Sequence, residues 1–239
     1  MRPPSIIKWL GGGVGVAAGV YGMLVARGWY RYGHPGASPG ENDAVLDAFM
    51  PVYDIVERHH IAVHAPAALT LQSAADMDFE ASPIVRAIFS TRELVMGARR
   101  DRPRAPQAFV DEMRRIGWGT LSEIPGRQVV MGAVTQPWMA DVVFRPLPSH
   151  EFRAFDEPGF VKIIWTLRAD PIGDHASVFR TETRAMPTDA LARARFRRYW
   201  SFASPGIVAI RWLLLRPVKL EAERRARAGV VAALTNPAA

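Results

Sequence analysis

Few residues in this sequence have the type and spacing to do chemistry. His59, His60 and His64 fall close together, and positions 60 and 64 would share one face of a strand. No fourth ligand and no His-Glu-x-x-His run accompanies them, so no metal site is expected and the histidines read as exposed or hydrogen-bonded side chains. The chain of 239 residues contains no Cys, which removes disulfides, thiol nucleophiles and thiolate metal sites together. Neither a Gly-x-Ser-x-Gly elbow nor a Gly-x-x-x-x-Gly-Lys phosphate loop is present. Gly13-x-Gly15-x-x-Ala18 imitates a dinucleotide fingerprint, but no acidic residue occurs before Glu41 and no second strand follows. No cofactor is therefore expected.

What remains is polar alternation and aromatic spacing. Thr181 and Thr183 alternate with Glu182 and Arg184 along a predicted strand, so one pair should face a cavity or helix and the other solvent. Alternation alone does not say which. An inward Glu182 paired with Arg184 could hold a polar ligand head or move a proton, although a structural ion pair is the more frequent use. Trp165, Phe179, Tyr199 and Trp200 sit at strand and helix spacing, where aromatic residues form either core or pocket wall.

The elements that must position these groups follow from patterning. Residues 9–26 carry no charge and are flanked by Lys8, Arg27 and Arg31, with Trp9, Tyr21, Trp29, Tyr30 and Tyr32 toward the ends. Adding Ile6 and Ile7 brings the run to the roughly 20 residues that a bilayer helix needs. Residues 1–32 thus read as an uncleaved, single-pass transmembrane anchor whose sidedness the flanking charges do not decide. Leu24 stands where signal cleavage wants a small residue. Gly11, Gly15 and Gly19 share a helical face that permits close approach of a second copy, a homodimer contact. The breaker-rich residues 33–41 read as a linker, residues 42–230 as one folded domain, and residues 231–239 as a tail.

Within the domain, residues 44–56 carry helical spacing broken by Pro51, residues 57–64 alternate as a strand, and residues 67–75 follow as a helix. A second helix starts at Ser82-Pro83, and residues 98–106 form a basic, proline-rich loop. Residues 118–124 and 128–134 flank Pro125-Gly126, a type II turn pair, and predict a hairpin. Residues 160–167 and 177–184 predict another. From Thr188, taken as N-cap, one long helix with a kink at Pro205 runs through Ile207, Ile210, Leu214 and Ala222. This α+β order suits a helix-grip fold, a curved antiparallel sheet wrapped around a long C-terminal helix with a cavity between them.

Several short motifs sit at matching places in that order. Ala65-Pro66 after the first strand, Pro158-Gly159-Phe160 with Lys162 and Trp165, Thr181-Glu182-Thr183-Arg184, and Phe196-Arg-Arg-Tyr199-Trp200 with Ile210-Arg211 resemble bacterial members of the START and polyketide-cyclase (SRPBCC) superfamily. The resemblance spans roughly residues 53–228; the anchor, the basic loop and the segment 139–151 depart from it. It implies an apolar ligand, a lipid or another hydrophobic small molecule, held in an internal cavity. Trp165, Phe179, Thr181, Thr183, Tyr199 and Trp200 are the cavity candidates, with Glu182 and Arg184 as polar ones. The second activity it implies is that of a cyclase or aromatase, for which Glu182, Arg184 and Tyr199 are the candidates. A third reading, a structural membrane partner, requires a filled core.

The formal charge of +7 comes largely from Arg in the last third, from Arg193 to Arg227. On a helix this is a solvated face or one laid against anionic headgroups. Nucleic-acid binding is not expected, since no helix-turn-helix, zinc or RNA-binding aromatic motif appears.

Overall fold

The computed structural model describes residues 6–36, 43–78 and 108–235, with side chains from residue 18 in the first helix and up to residue 229 in the last. The expected helix from Ser82 and the basic loop 98–106 lie outside the described residues. Helix α1 (Ile6–Arg31) leads to a short α2 (Ala44–Phe49), strand β1 (Ile55–Val63) and α3 (Ala67–Ala75). Helix α4 (Phe109–Arg115) then precedes β2 (Gly119–Ile124), β3 (Gln128–Thr135), β4 (Phe144–Arg145) and α5 (Ser149–Ala154). Strands β5 (Val161–Pro171) and β6 (Ser177–Pro187) come next, and α6 (Ala190–Thr235) closes the chain. The sheet order is β1-β6-β5-β3-β2, with β4 on β3, and every pairing is antiparallel. An antiparallel sheet on a long C-terminal helix is the α+β arrangement that the element order predicts.

The turn at Pro125-Gly126 illustrates how residues set register. Gly126 adopts φ +69° and Arg127 N–H donates to the Ile124 carbonyl at 2.9 Å, which pins Ile124 opposite Gln128. Helix α2 stops at Met50, immediately before Pro51. Its start is fixed by Asp43, whose carboxylate accepts from Val45 N (3.0 Å) and Leu46 N (3.2 Å) and also from the Gln128 side chain (2.6 Å), tying the helix to the sheet.

Both sheet faces are covered. On one, α3, α4 and α6 pack over Val63, Met131, Trp165 and Phe179. On the other, α2 and α5 bury Leu46, Phe49 and Phe152 against Leu121, Val130 and Ile164, each such side chain worth about 1.5–3 kcal/mol when removed from water. Segment 139–151 departs from the family pattern at a place where it could alter a cavity mouth. Its first part borders the cavity through Val142 and Phe144, while Phe152 in the helix that follows is fully buried behind the sheet.

Helix α6 departs from expectation at its ends. Its cap is Asp189, not Thr188: the Asp189 carboxylate accepts from Leu191 N (2.7 Å), Ala192 N (2.9 Å) and Gly159 N. Thr188 instead accepts from Phe160 N (3.1 Å), so Pro158-Gly159-Phe160 is docked onto the helix start. The helix runs through both Pro205 and Pro217 and on past residue 230 to Thr235. Its C-terminal half is clamped by Lys219 to the Ala62 carbonyl (2.7 Å), Glu223 to His64 N (3.0 Å) and Arg225 to Asp76 (2.8 Å).

Among the described residues no helix is long and apolar enough to cross a membrane. Gly11 and Gly15 of the expected dimer face lie outside the described side chains, and a Cβ at Gly19 would meet nothing within 4 Å. The second half of α1 is packed antiparallel against α6, a contact that sequence patterning did not reveal. Gly28 lies against Ser201 and Ser204, where a Cβ would approach Ser204 Oγ to 2.9 Å. This close approach falls at Ser201, whose carbonyl loses its helical donor because Pro205 has no N–H. The Arg197 guanidinium stacks 4.1 Å over Trp29 and donates to its carbonyl, and Tyr32 is buried with Phe196 and Trp200.

Candidate functional site

Between the sheet and α6 lies a cavity of about 1130 Å³, as bounded by the described residues. Its sheet wall is built by period-2 alternation: Ile163, Trp165 and Leu167 of β5 and Phe179, Thr181 and Thr183 of β6 all point the same way. Its helix wall comes from one stripe of α6, including Phe196, Tyr199, Trp200, Ile207, Ile210 and Leu214. Aromatic packing closes one end, with Trp118 stacked on Phe144 at 4.8 Å and edge-on to Trp165 at 5.9 Å. At α1, Tyr21 joins the wall, and its hydroxyl donates to the Phe202 carbonyl at 2.8 Å. Trp165, Phe179, Thr181, Thr183, Tyr199 and Trp200 all lie in this wall.

Glu182 and Arg184 do not. The alternation that turns the two threonines inward sends this pair to the opposite face, and that face is not open to solvent either: α2 covers it. Arg184, 1% exposed, donates to Glu182 (2.6 Å), to Asp47 (2.6 Å) and to the Met50 carbonyl (2.8 Å), and lies 4.6 Å over the Tyr53 ring. Arg58 grips the same Glu182 through both oxygens, at 3.0 and 3.2 Å. The pair is a structural ion network, and both polar cavity candidates are corrected accordingly.

Among the described residues, the cation set deepest along the apolar stripe of the cavity wall is Arg211, which the sequence shows only as part of a motif and a basic run. It is a turn of helix beyond Ile207 on the apolar stripe, and its guanidinium donates to Thr181 Oγ1 at 3.2 Å and to Thr183 Oγ1. Its Nε has no hydrogen-bond partner. Burial pulls this guanidinium down to about 10, the Glu57 charge opposing the shift. The signal available beforehand was an Arg occupying an inward position between Ile207, Ile210 and Leu214.

Beside it, β1 places Glu57 opposite Thr183 and His59 opposite Thr181. The Glu57 carboxyl is raised by burial, against the pull of Arg211, Arg31 and Arg27. His59 is 7% exposed, packs edge-on to Trp212 at 5.5 Å, and is lowered to about 4 by burial, then by Arg211 and His60. Among the described residues no group of His, Asp and Glu is arranged to hold a metal.

The His59 shift has a measurable consequence. A base whose folded pKa lies below its unfolded value leaves the unfolded chain holding more protons between about pH 6.5 and pH 4. His59 therefore contributes stability that is complete above the unfolded value and is lost as pH falls toward 4, by up to about 3 kcal/mol. Glu57 acts in the opposite sense, its raised carboxyl favouring the folded state at low pH and losing that contribution as pH rises. Thermal melts across this window should show the melting temperature falling on acidification for the native chain and falling less for His59→Gln. An unchanged slope in the variant would rule His59 out as the source.

No family model matches the chain, and no curated protein matches it in sequence. Among solved structures it is similar to protein CV1439 from Chromobacterium violaceum (13% identity, 65% of this chain and 95% of that one, TM-score 0.25). It is also similar to the Zhui aromatase/cyclase from Streptomyces sp. R1128 (16% identity, 73% and 97% of the chains, TM-score 0.24). A third is norcoclaurine synthase from Thalictrum flavum, in complex with dopamine and hydroxybenzaldehyde (12% identity, 76% and 96%, TM-score 0.27). The fold stands on its own topology.

Proposed function

We propose that this protein binds an apolar small molecule or lipid in the cavity between sheet and α6, and that α1 tethers it to a membrane. The observation that carries the reading is the cavity itself: about 1130 Å³ walled almost wholly by aromatic and aliphatic side chains. Such volume and lining suit a drug-sized or larger hydrophobic guest, with a few polar groups to fix its orientation. The tether rests on the uncharged residues 9–26 of the sequence alone, since α1 from Tyr21 onward packs against α6 and does not add to a span. Tyr21 belongs to both the helix and the cavity wall, so a molecule leaving a bilayer along α1 would meet the cavity at once.

The cyclase or aromatase reading keeps Tyr199 in the wall but loses Glu182 and Arg184 to the far side of the sheet. Binding needs neither. The test uses the full chain in lipid nanodiscs, with N-phenyl-1-naphthylamine as a neutral fluorescent probe and empty nanodiscs as blank. Saturable fluorescence gain above the blank, together with an apolar molecule co-extracted from natively purified protein, is expected. Absence of both would leave the cavity without a ligand and sink the proposal. Alkaline carbonate extraction of native membranes checks the tether, since a peripheral protein would be released.

A further inference from the structure

Resting on that binding reading, we infer that the guest is an apolar carboxylic acid whose carboxylate meets Arg211 between Thr181 and Thr183. A guanidinium offers five N–H donors in a flat fork that fits a carboxylate edge, and it keeps its charge when neutral alternatives exist for other side chains. Here the hydroxyls of Thr181 and Thr183 accept from Nη1 and Nη2, which steadies the fork without neutralising it. Among the described residues no carboxylate hydrogen-bonds to Arg211. Glu57 is its nearest acidic neighbour in electrostatic effect, but the contact Glu57 makes is with His59 Nε2, at 3.8 Å. A largely desolvated cation whose electrostatic partner among the described residues, Glu57, makes no hydrogen bond to it is costly for a fold to hold, and a guest anion is the partner that relieves it.

Charge number and position choose the acid over a phospholipid. Among the described residues the other two cations in the cavity wall, Arg195 and Arg198, are exposed and lie roughly 20 Å back along α6 from Arg211 at 1.5 Å per residue. A single interior guanidinium matches one monoanionic head with its hydrocarbon body running toward that end along Ile207, Tyr199 and Trp200. A dianionic phosphate at the same place would remain half neutralised. A phospholipid held head-outward at Arg195 and Arg198 would leave Arg211 unpaired.

The experiment displaces N-phenyl-1-naphthylamine from the full chain in nanodiscs with oleate, with oleyl alcohol and with oleoyl lysophosphatidate. Oleate should compete at concentrations at least about tenfold below the alcohol, as a charge-assisted pair implies, and below the lysophosphatidate. Arg211→Gln should erase the acid's advantage, read as the ratio of acid to alcohol competition within that variant. Equal competition by acid and alcohol in the native chain, an advantage that survives R211Q, or a stronger lysophosphatidate would each overturn the inference while leaving cavity binding in place. If the probe itself fails to bind, the cavity reading falls and this one with it. Should R211Q not fold, the double variant Thr181→Val, Thr183→Val keeps the charge and removes its braces. The acid's advantage should then fall severalfold, and an unchanged advantage overturns the geometry.

Discussion

Replacing Glu182 with alanine is expected to destabilise the protein by about 3–5 kcal/mol, the cost typical of removing one partner from a buried ion cluster. The carboxylate is 5% exposed and is shared by two guanidiniums, Arg58 at 3.0 Å and Arg184 at 2.6 Å. Without it, Arg184 keeps Asp47, which is itself half open to water, and Arg58 keeps the Tyr53 hydroxyl. Two desolvated cations would then face each other across a cavity that no anion fills, and water must enter or the α2 cover must lift. Glu182→Gln keeps the shape and the acceptor but not the charge, so it should cost less. Urea unfolding with a native-like m-value measures both. A loss below about 1 kcal/mol for the alanine variant would mean that solvent screens the cluster, as it does for ion pairs at the surface. Probe binding in the cavity should survive in any variant that remains folded, because the cluster sits behind the sheet.

That separation of faces marks how far the sequence could be read. Helix α3 spans the residues its pattern predicts, 67–75, because Pro66 and the Ala-rich run leave little choice. The hairpin at Pro125-Gly126 was legible for a similar local reason. Period 2 also placed Thr181 and Thr183 opposite Glu182 and Arg184, yet it could not tell which pair met α6. The deciding fact is remote: Leu46 and Phe49 of α2, with Met50 at its end, cover the second face, so the pair turned away from α6 is buried as well instead of meeting solvent. The cap moved from Thr188 to Asp189 because both residues are good caps, and Thr188 is occupied by Phe160.

The packed half of α1 was hidden by its own composition. An uncharged run with glycines reads as a lipid-facing helix, and nothing local says that Gly28 meets Ser201 across 173 residues of chain, or that Arg197 caps the contact on Trp29. Arg211 was hidden differently. In a count of basic residues it is one of many, whereas its neighbours on the strip give it away: Arg224 and Arg225 pair with Glu221, Arg193 with Asp54, and Lys219 with Glu223, each beside a visible acid. Arg211 shares with Arg195, Arg197, Arg198 and Arg216 the lack of an acid three or four residues away, but of these it is the one set among Ile207, Ile210 and Leu214.

That position makes Arg211→Met the second large effect, and its sign is opposite to that of Glu182. A guanidinium that burial lowers to about 10 is one whose charged form the folded state disfavours, so at neutral pH it costs stability, up to about 3 kcal/mol. Methionine fills the same apolar stripe without a charge to desolvate, and the two threonine hydroxyls it abandons can turn to each other or to backbone oxygens. The ligand-free variant is therefore expected to melt several degrees higher than the native chain, at roughly 2–4 °C per kcal/mol for a chain of this size. Glu57 tempers the gain, because its carboxylate loses a favourable neighbour and its proton affinity rises further. A residue that weakens its own fold in this way is kept for what it holds, and the balance should reverse when an anionic guest is present. Saturating oleate should raise the melting temperature of the native chain and leave that of Arg211→Met almost where it was, through mass action on the state that binds. If the methionine variant melts lower than the native chain without ligand, Arg211 is a structural tie to Thr181 and Thr183 rather than a stored cost, and the case for a charged guest weakens with it.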